Sequence, residues 1–434
     1  MGGRRFVRWL VAAFALPLAI ACNPLGALQP VRTGADIVVG VPMAASGQYV
    51  PEANLTRQGY DLWAQWVNHN GGIVVQNVRH RVRLLYEDDQ SQPTVAAQVA
   101  ERMLSQQGVR FLLGPFGTPD SIAVAQVANQ RRVPVVISNG AAPDIYANGN
   151  RYAFGVVAPG DRFPAAIFDM AMAMQPRPAT LAILTADDPF SLDVTQGDIQ
   201  AAQARGMRIV YEQRYPAGST NLYPLVAAAK AAHPDILVDS GHLLEAVACQ
   251  KAVMDLRLDA KLYAYAEATD EPQFVEALGK AADYVTTAVP WSPAATYRSE
   301  VYLSTAGYVA AYRRTYHTDQ EPSYVTADAT AAALALGLAI QRADSLNPER
   351  VRDALASLDV NTFYGRIRFG RDGQSVGNTV LVEQIQDGHR VVVWPSQLAP
   401  ATPQYPAPTW DARLGPPPTP PRAKLPGTGH PPLG

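Results

Sequence analysis

The sequence predicts an α/β fold built as two doubly wound parallel-sheet lobes. Three observations predict it. Short apolar, β-branched runs alternate with helical stretches, these runs are apolar throughout rather than at every second residue, and the alternation occurs twice. In the first series, DIVVGVPM at 36–43 reads as a buried strand. The stretch 55–70 follows as a helix, with Leu55, Leu62, Trp63, Trp66 and Val67 on one face. Strands at 81–88, 110–114 and 133–138 then alternate with helices at 94–107 and 119–131. The second series runs strand 180–185, helix 191–205, strand 208–215, helix 221–232, strand 235–239, helix 244–256 and strand 261–265. Two later helices, 300–316 and 324–343, follow; the first aligns Val301, Thr305, Tyr308, Val309 and Tyr312. In such sheets ligands sit beyond the carboxyl ends of the strands, so the loops after strands are the place to look for a site.

Both ends of the chain depart from this pattern. Arg4, Arg5 and Arg8 precede an apolar run at 9–21 that is short for a bilayer span, so 1–21 reads as a signal peptide. It ends in Ala19-Ile20-Ala21-Cys22, which resembles the lipobox of bacterial lipoproteins. That pattern implies lipidation of Cys22, attachment to a membrane through the N-terminal lipid, and a linker over 22–35. With Cys22 acylated, only Cys249 is left, so no intramolecular disulfide is possible. Cys249 lies in an apolar, helix-like stretch and reads as a small buried residue. The segment 395–434 is rich in proline and poor in apolar side chains, so a disordered or polyproline-like tail is expected.

Composition narrows the function. The 434 residues suffice for two lobes with their own cores, and 48% hydrophobic with 17% charged residues is ordinary for a soluble globular protein. A formal net charge of -2 gives no field that would attract nucleic acid, so no nucleic-acid partner is expected. The chain carries no H-E-x-x-H, C-x-x-C, P-loop, G-x-G-x-x-G or G-x-S-x-G pattern. No cofactor, no metal and no enzymatic activity are therefore expected. His69 and His80 read as surface residues, and Glu87, Asp88 and Asp89 at a strand end read as solvated or capping groups.

The strand-end segments fall in a recognisable order. They are IVVGVP (37–42), N-x-x-G-G (68–72), LLYEDD (84–89), QVAERML (98–104), VRFLLGP (109–115), VPVVISNGAAPD (133–144) and YGRIRFGRDG (364–373). With these the chain resembles the leucine/isoleucine/valine-binding protein family, extracytoplasmic receptors of branched-chain amino acid and amide ABC transporters. The resemblance implies a type I periplasmic-binding fold whose lobes are joined by three hinge crossings, near 155–160, 289–293 and 361–366. Lobe one then combines 36–157 with 292–361, and lobe two combines 158–291 with 362–394. The implied molecule is a monomer on the periplasmic or cell-surface side of a bacterial membrane. It captures a small amino acid or amide-like ligand and delivers it to permease subunits. A sensory or scaffolding lipoprotein of the same fold, acting in envelope regulation or cell-wall synthase activation, is the alternative reading.

The resemblance also carries site residues over. The loop GPFGTPDS (114–121) matches the segment whose hydroxyl binds the ligand carboxylate, which places Gly117 and Thr118 at the ligand. Independently, Thr118 before Pro119 reads as a helix N-cap, and free N–H groups at that helix start favour an anion. Capping alone is the competing role for Thr118. The segment SNGAAP (138–143) matches the loop that offers backbone groups and a threonine hydroxyl. Ala142 stands at the threonine position, which leaves backbone contacts at Gly140 and Ala142, and Asn139 is unusual there. YAEAT (265–269) puts Glu267 on the carboxylate that pairs with the ligand ammonium. Phe190 and His242 replace family aromatics. Tyr49 and Glu52 lie in the loop after the first strand, where a family aromatic closes over the ligand, and Tyr324 begins a helix facing the cleft. Ser91 and Gly117 occupy the positions of a disulfide found in some members. The changes at Ala142, Phe190 and His242 leave the identity of the ligand open.

Overall fold

The computed structural model describes residues 32–267, 271–295, 297–376 and 380–415. The expected signal peptide, Cys22 and the last part of the tail, 416–434, lie outside the described residues.

The chain opens with β1 (Arg32–Thr33), β2 (Ile37–Met43), α1 (Val50–His69), β3 (Ile73–Val75), β4 (Val78–His80), β5 (Val82–Asp88) and α2 (Pro93–Gln106). β6 (Phe111–Leu113), α3 (Thr118–Arg131), β7 (Val135–Ile137), β8 (Ala153–Gly155) and α4 (Phe163–Ala173) follow. The second series comprises β9 (Thr180–Ala186), α5 (Pro189–Ala204), β10 (Arg208–Tyr215), α6 (Tyr223–Ala231), β11 (Ile236–Ser240), α7 (Leu243–Leu256) and β12 (Leu262–Tyr265). After α8 (Pro272–Leu278) and β13 (Val285–Val289) come α9 (Thr305–Tyr316), α10 (Tyr324–Ala343) and α11 (Pro348–Ala356). The chain then forms β14 (Asp359–Thr362), β15 (Gly365–Arg368), β16 (Leu381–Gln386), β17 (His389–Trp394) and α12 (Trp410–Leu414).

Two main sheets result. The first is five-stranded, in the order β5-β2-β6-β7-β8, and parallel throughout. The second is seven-stranded, in the order β10-β9-β11-β12-β13-β16-β17, with β16 and β17 antiparallel at one side. Central strands are buried on both faces, as their unbroken apolar runs require: Val39, Val41, Leu112, Leu113, Leu181, Ile183 and Leu237 are all at 0% exposure. Helix α10 packs along α1 and is buried over nearly its whole length. It is long and apolar enough to cross a membrane, but 89% of its most apolar window is buried inside the protein, so it is a core helix here.

The α1–α10 contact depends on Gly59. A Cβ there would run into the carbonyl oxygen of Thr326 and lie 2.7 Å from the Ala329 methyl. Backbone that close cannot yield without moving the helix. Gly59→Val is expected to cost about 1–3 kcal/mol or more, read as a lowered midpoint in chemical denaturation.

The structure corrects several expectations. α1 begins five residues earlier than the helix read at 55–70, because Pro51 sits in its first turn, where proline costs no hydrogen bond. The helix expected from 300 begins at Thr305, where the Ser304 hydroxyl accepts from Gly307 N at 3.1 Å and sets the start. His80 is buried rather than on the surface, with Nδ1 2.6 Å from Ala35 O. The hairpin β14–β15 stays with the first lobe: Phe363, Ile367 and Phe369 belong to the core around α1 and α10, and Gly155 N donates to Gly373 O. After this hairpin the chain returns to the second sheet at Leu381, so the last passage lies beyond the 361–366 expected for it.

The largest correction concerns the proline-rich end. Residues 395–415 are not a solvated tail but a strap fastened across the second lobe. Gln404 N donates to Gln384 Oε1 at 2.8 Å, and Ala407 N donates to Lys261 O at 3.0 Å. Trp410, at 0% exposure, packs with Tyr263 and Phe274 and donates from Nε1 to Leu258 O at 3.0 Å. The Arg413 guanidinium lies 3.8 Å from the centre of the Trp410 ring. Proline suits such a strap, since it keeps the chain extended and forms no ladder of its own.

Candidate functional site

The loops after the first-sheet strands build one half of the site. Between β2 and α1 the Asp88 carboxylate accepts from Ala45 N, Ser46 N and the Ser46 hydroxyl, at 2.7–3.2 Å. Burial works against the Asp88 charge, but these bonds and one from Gln90 N hold its carboxyl below the ordinary range. Asp88 therefore clamps the loop. Ser91 Oγ donates to Ser46 O at 3.0 Å and accepts from Tyr49 N at 3.1 Å, which fixes the backbone that carries Tyr49 and Glu52. Gly117 lies under the Tyr49 ring with φ 87°, and a Cβ there would come within 3.2 Å of that ring. Ser91 and Gly117, the two positions of the family disulfide, thus flank Tyr49.

Thr118 is not the cap of α3. Gly117 holds the N-cap position, Thr118 is the first helical residue, and no side chain caps the helix. Thr118 Oγ1 instead accepts from Ala141 N at 3.3 Å, with the residue only 1% exposed. Asn139 Nδ2 approaches Thr56 Oγ1, Ser138 Oγ and Val325 O at 3.0–3.3 Å, which ties the β7 loop to α1 and α10. Gly140 is closely packed: a Cβ would meet Ile145 Cδ1 at 2.7 Å. Ala142 and Tyr324, at the start of α10, are both buried.

The second sheet supplies the other half. Asp188 caps α5 by accepting from Phe190 N at 3.0 Å and Ser191 N at 3.2 Å. His242 precedes α7, and its ring stacks on Phe190 with centroids 5.4 Å apart. Its Nδ1 lies 2.8 Å from Glu267 Oε2, and Nε2 lies 3.5 Å from Asp188 Oδ1, an ion-pair distance. Tyr49 and Phe116 reach the same ring from the first lobe, edge-on, with centroids 5.4 Å and 6.1 Å away. The two halves therefore meet at His242.

Charge explains the arrangement. Burial opposes a charge on His242, but Glu267 and Asp188 together push its pKa well above the ordinary value. Carboxyl groups on both sides of the ring thus favour its protonated form. Burial likewise opposes the Asp188 charge, and His242 with the α5 hydrogen bonds keeps its carboxyl below the usual range. Glu52 has no such partner. It is 1% exposed, and neither carboxylate oxygen has a hydrogen-bond partner in another residue among the described residues. Burial pushes its pKa up to about 7; His242 lowers it, while Glu267 and Glu245 raise it from across the interface.

Of the sequence-derived residues, the structure brings Tyr49, Phe190 and Glu267 against His242, with Gly117 under the Tyr49 ring and Glu52 in the first turn of α1 beside it, whereas Thr118 is held by Ala141 N within its own lobe. Asn139, Gly140 and Ala142 follow β7 and Tyr324 opens α10, all in the first lobe. Two contributors escaped the sequence reading, Phe116 and Asp188. Asp188 was legible as an N-cap, since Asp-Pro before a helical stretch is a start signal. Phe116 carried no signal apart from its neighbours.

Buried carboxyls give the protein a pH signature. Burial raises Asp120 and Asp198 to about 8, and Asp239 to about 7. Each folded-state pKa lies above its unfolded value, so the folded state holds extra protons between them. This contribution to stability is complete below the unfolded pKa and is lost as pH rises through the folded one. His242 acts in the same direction, because its folded pKa is also raised. Melting temperature is expected to fall from pH 5 to pH 8, and Asp198→Asn is expected to flatten part of that slope, as measured by calorimetry across the range.

Comparison with known proteins agrees with this architecture. The family model for periplasmic binding proteins matches residues 36–390. The "Leu/Ile/Val-binding protein homolog 8" of Brucella abortus is 23% identical over 387 residues, covering 84% of this chain and 92% of that protein. Among solved structures, the branched-chain amino acid transporter substrate-binding protein LivJ of Streptococcus pneumoniae, in complex with isoleucine, superposes with a TM-score of 0.71 at 20% identity. It covers 83% of this chain and 100% of the other. An ABC transporter solute-binding protein from R. palustris, in complex with benzoate, also gives a TM-score of 0.71, at 15% identity over 82% and 95% of the two chains. With two doubly wound lobes meeting at a shared site and a family match across most of its length, the chain belongs to the periplasmic binding protein family.

Proposed function

We propose that this chain is an extracytoplasmic receptor that captures a small polar solute, an amino acid or amide-like molecule, between its lobes and delivers it to an ABC transporter permease. One observation carries the reading. Tyr49, Glu52 and Phe116 from one lobe face Asp188, Phe190, His242 and Glu267 from the other, so the complete set assembles only when the lobes are together. A solute that touches both halves favours the closed form through its differential affinity for it. The fold neighbours with bound isoleucine and benzoate support small cargo of this size. The chain segments that pass between the sheets serve as the hinge, and lipidation at Cys22 holds the receptor at a membrane as a monomer.

A thermal-shift panel of amino acids, amides, aromatic carboxylates and amines tests the reading. A ligand at a hundred times its dissociation constant adds about 2.7 kcal/mol to stability. At least one class is expected to raise the melting temperature of the wild type, and Thr118→Ala is expected to reduce that rise. A flat response across every class would sink the receptor reading. For the anchor, Cys22→Ser is expected to move the protein from the membrane to the soluble fraction.

A further inference from the structure

We propose that the cargo carries an ammonium group and that Glu52, rather than Glu267, is the carboxylate that receives it. This rests on the receptor reading and names the chemistry of its cargo. In the resemblance-based expectation the ammonium goes to Glu267, but that carboxylate already holds the His242 imidazolium at 2.8 Å. Asp188 faces the other ring nitrogen, at 3.5 Å. His242 thus serves as a built-in cation for two of the three carboxylates around it.

Glu52 is the third, and it is differently placed. Its side chain is almost wholly covered, and its two oxygens make no hydrogen bond to another residue among the described residues. It sits in the first turn of α1, three residues after Tyr49, whose ring packs against His242 of the second lobe, and His242, Glu267 and Glu245 of that lobe all act on its charge. A buried carboxyl without a partner is costly, and at a lobe interface a ligand that completes it offsets that cost. With Asp188, Glu267 and Glu52 facing one imidazolium, the local balance favours a cation and opposes an anion. Tyr49, Phe116 and Phe190 stand around the same point and offer ring faces and edges to the rest of the cargo. A primary ammonium, with three donors, fits a carboxylate with two empty oxygens.

Calorimetric titration with four molecules sharing a phenyl group separates the possibilities: benzylamine, phenylalanine, benzoate and benzamide. The aliphatic set of isopentylamine, leucine, isovalerate and isovaleramide repeats the comparison for a smaller apolar group. The ammonium-bearing members are expected to bind, and Glu52→Gln, which keeps shape and volume, is expected to weaken them by about thirtyfold or more. His242→Gln is expected to strengthen them, because Glu267 then lacks its own cation; a merely structural role for Glu52 predicts no such opposite response. Tighter binding of benzoate or benzamide than of benzylamine, or an unchanged ammonium affinity in Glu52→Gln, overturns the assignment and leaves the receptor reading standing. No binding by any of the eight in wild type or variants overturns both.

Discussion

Trp410→Ala is expected to destabilise the second lobe by about 3–5 kcal/mol, the largest effect of any single substitution considered. The indole is at 0% exposure, its Nε1 donates to Leu258 O, and its backbone N donates to Asp259 Oδ1 at 2.8 Å. Removing it leaves a cavity in the core that also holds Tyr263 and Phe274, while Leu258 O keeps its other bond, from the Tyr263 hydroxyl at 2.8 Å, so the cost is that of the cavity. The strap keeps its backbone bonds to Asp259 and Arg257 but loses the ring that fills the core and the stacking of Arg413 on it. Truncation after Trp394 removes the same contacts together with the bonds from Gln404 and Ala407. Chemical denaturation should therefore show the truncation losing at least as much stability as Trp410→Ala. If both unfold with the wild type, the strap is only an ornament on the fold.

The second large effect is expected from Glu267→Ala, at about 3 kcal/mol. The His242–Glu267 pair has side chains 5% and 9% exposed, so breaking it leaves a buried imidazolium with one partner at 3.5 Å in place of two. The loss comes from stranding a charge, not from deleting a strong bond. Desolvation offsets much of the attraction within the intact pair. His242→Phe combined with Glu267→Leu removes both charges and is expected to recover most of the stability in a double-mutant cycle. Recovery of folding without recovery of cargo binding would separate the role of the pair in the site from its role in the fold. If the double variant is as unstable as the single one, the charge account is wrong and packing alone holds this region.

How much was visible in the sequence depended on how local the cause was. Both βα series were legible, because a strand buried on both faces must be apolar at every position, as Val39, Val41, Leu181 and Ile183 are. Tyr49, Glu267 and His242 came from the family resemblance, and all three lie in or beside loops after strands, which gather at one end of a parallel sheet. The His242 ion triad could not be read in this way, because its three members come from loops 54 and 25 residues away from one another in sequence, and pairing is a property of the folded chain. Thr118 looked like a cap from its Thr-Pro pair, yet Gly117 with its positive φ takes that position and frees the hydroxyl for Ala141 N. The strap was misread for a compositional reason. Proline excludes a core, but one tryptophan among many prolines is enough to fasten an extended chain to a core built elsewhere.

The proposed receptor role requires the lobes to move apart and together around a solute. Pulsed electron-spin distance measurement between labels at Gln126 on α3 and Gln196 on α5, exposed positions on helices that approach one another, reads that motion directly. A broad or longer distance without solute, collapsing to one short distance when a binding member of the panel is added, is the predicted result. A single short distance that stays the same with and without bound solute would contradict it.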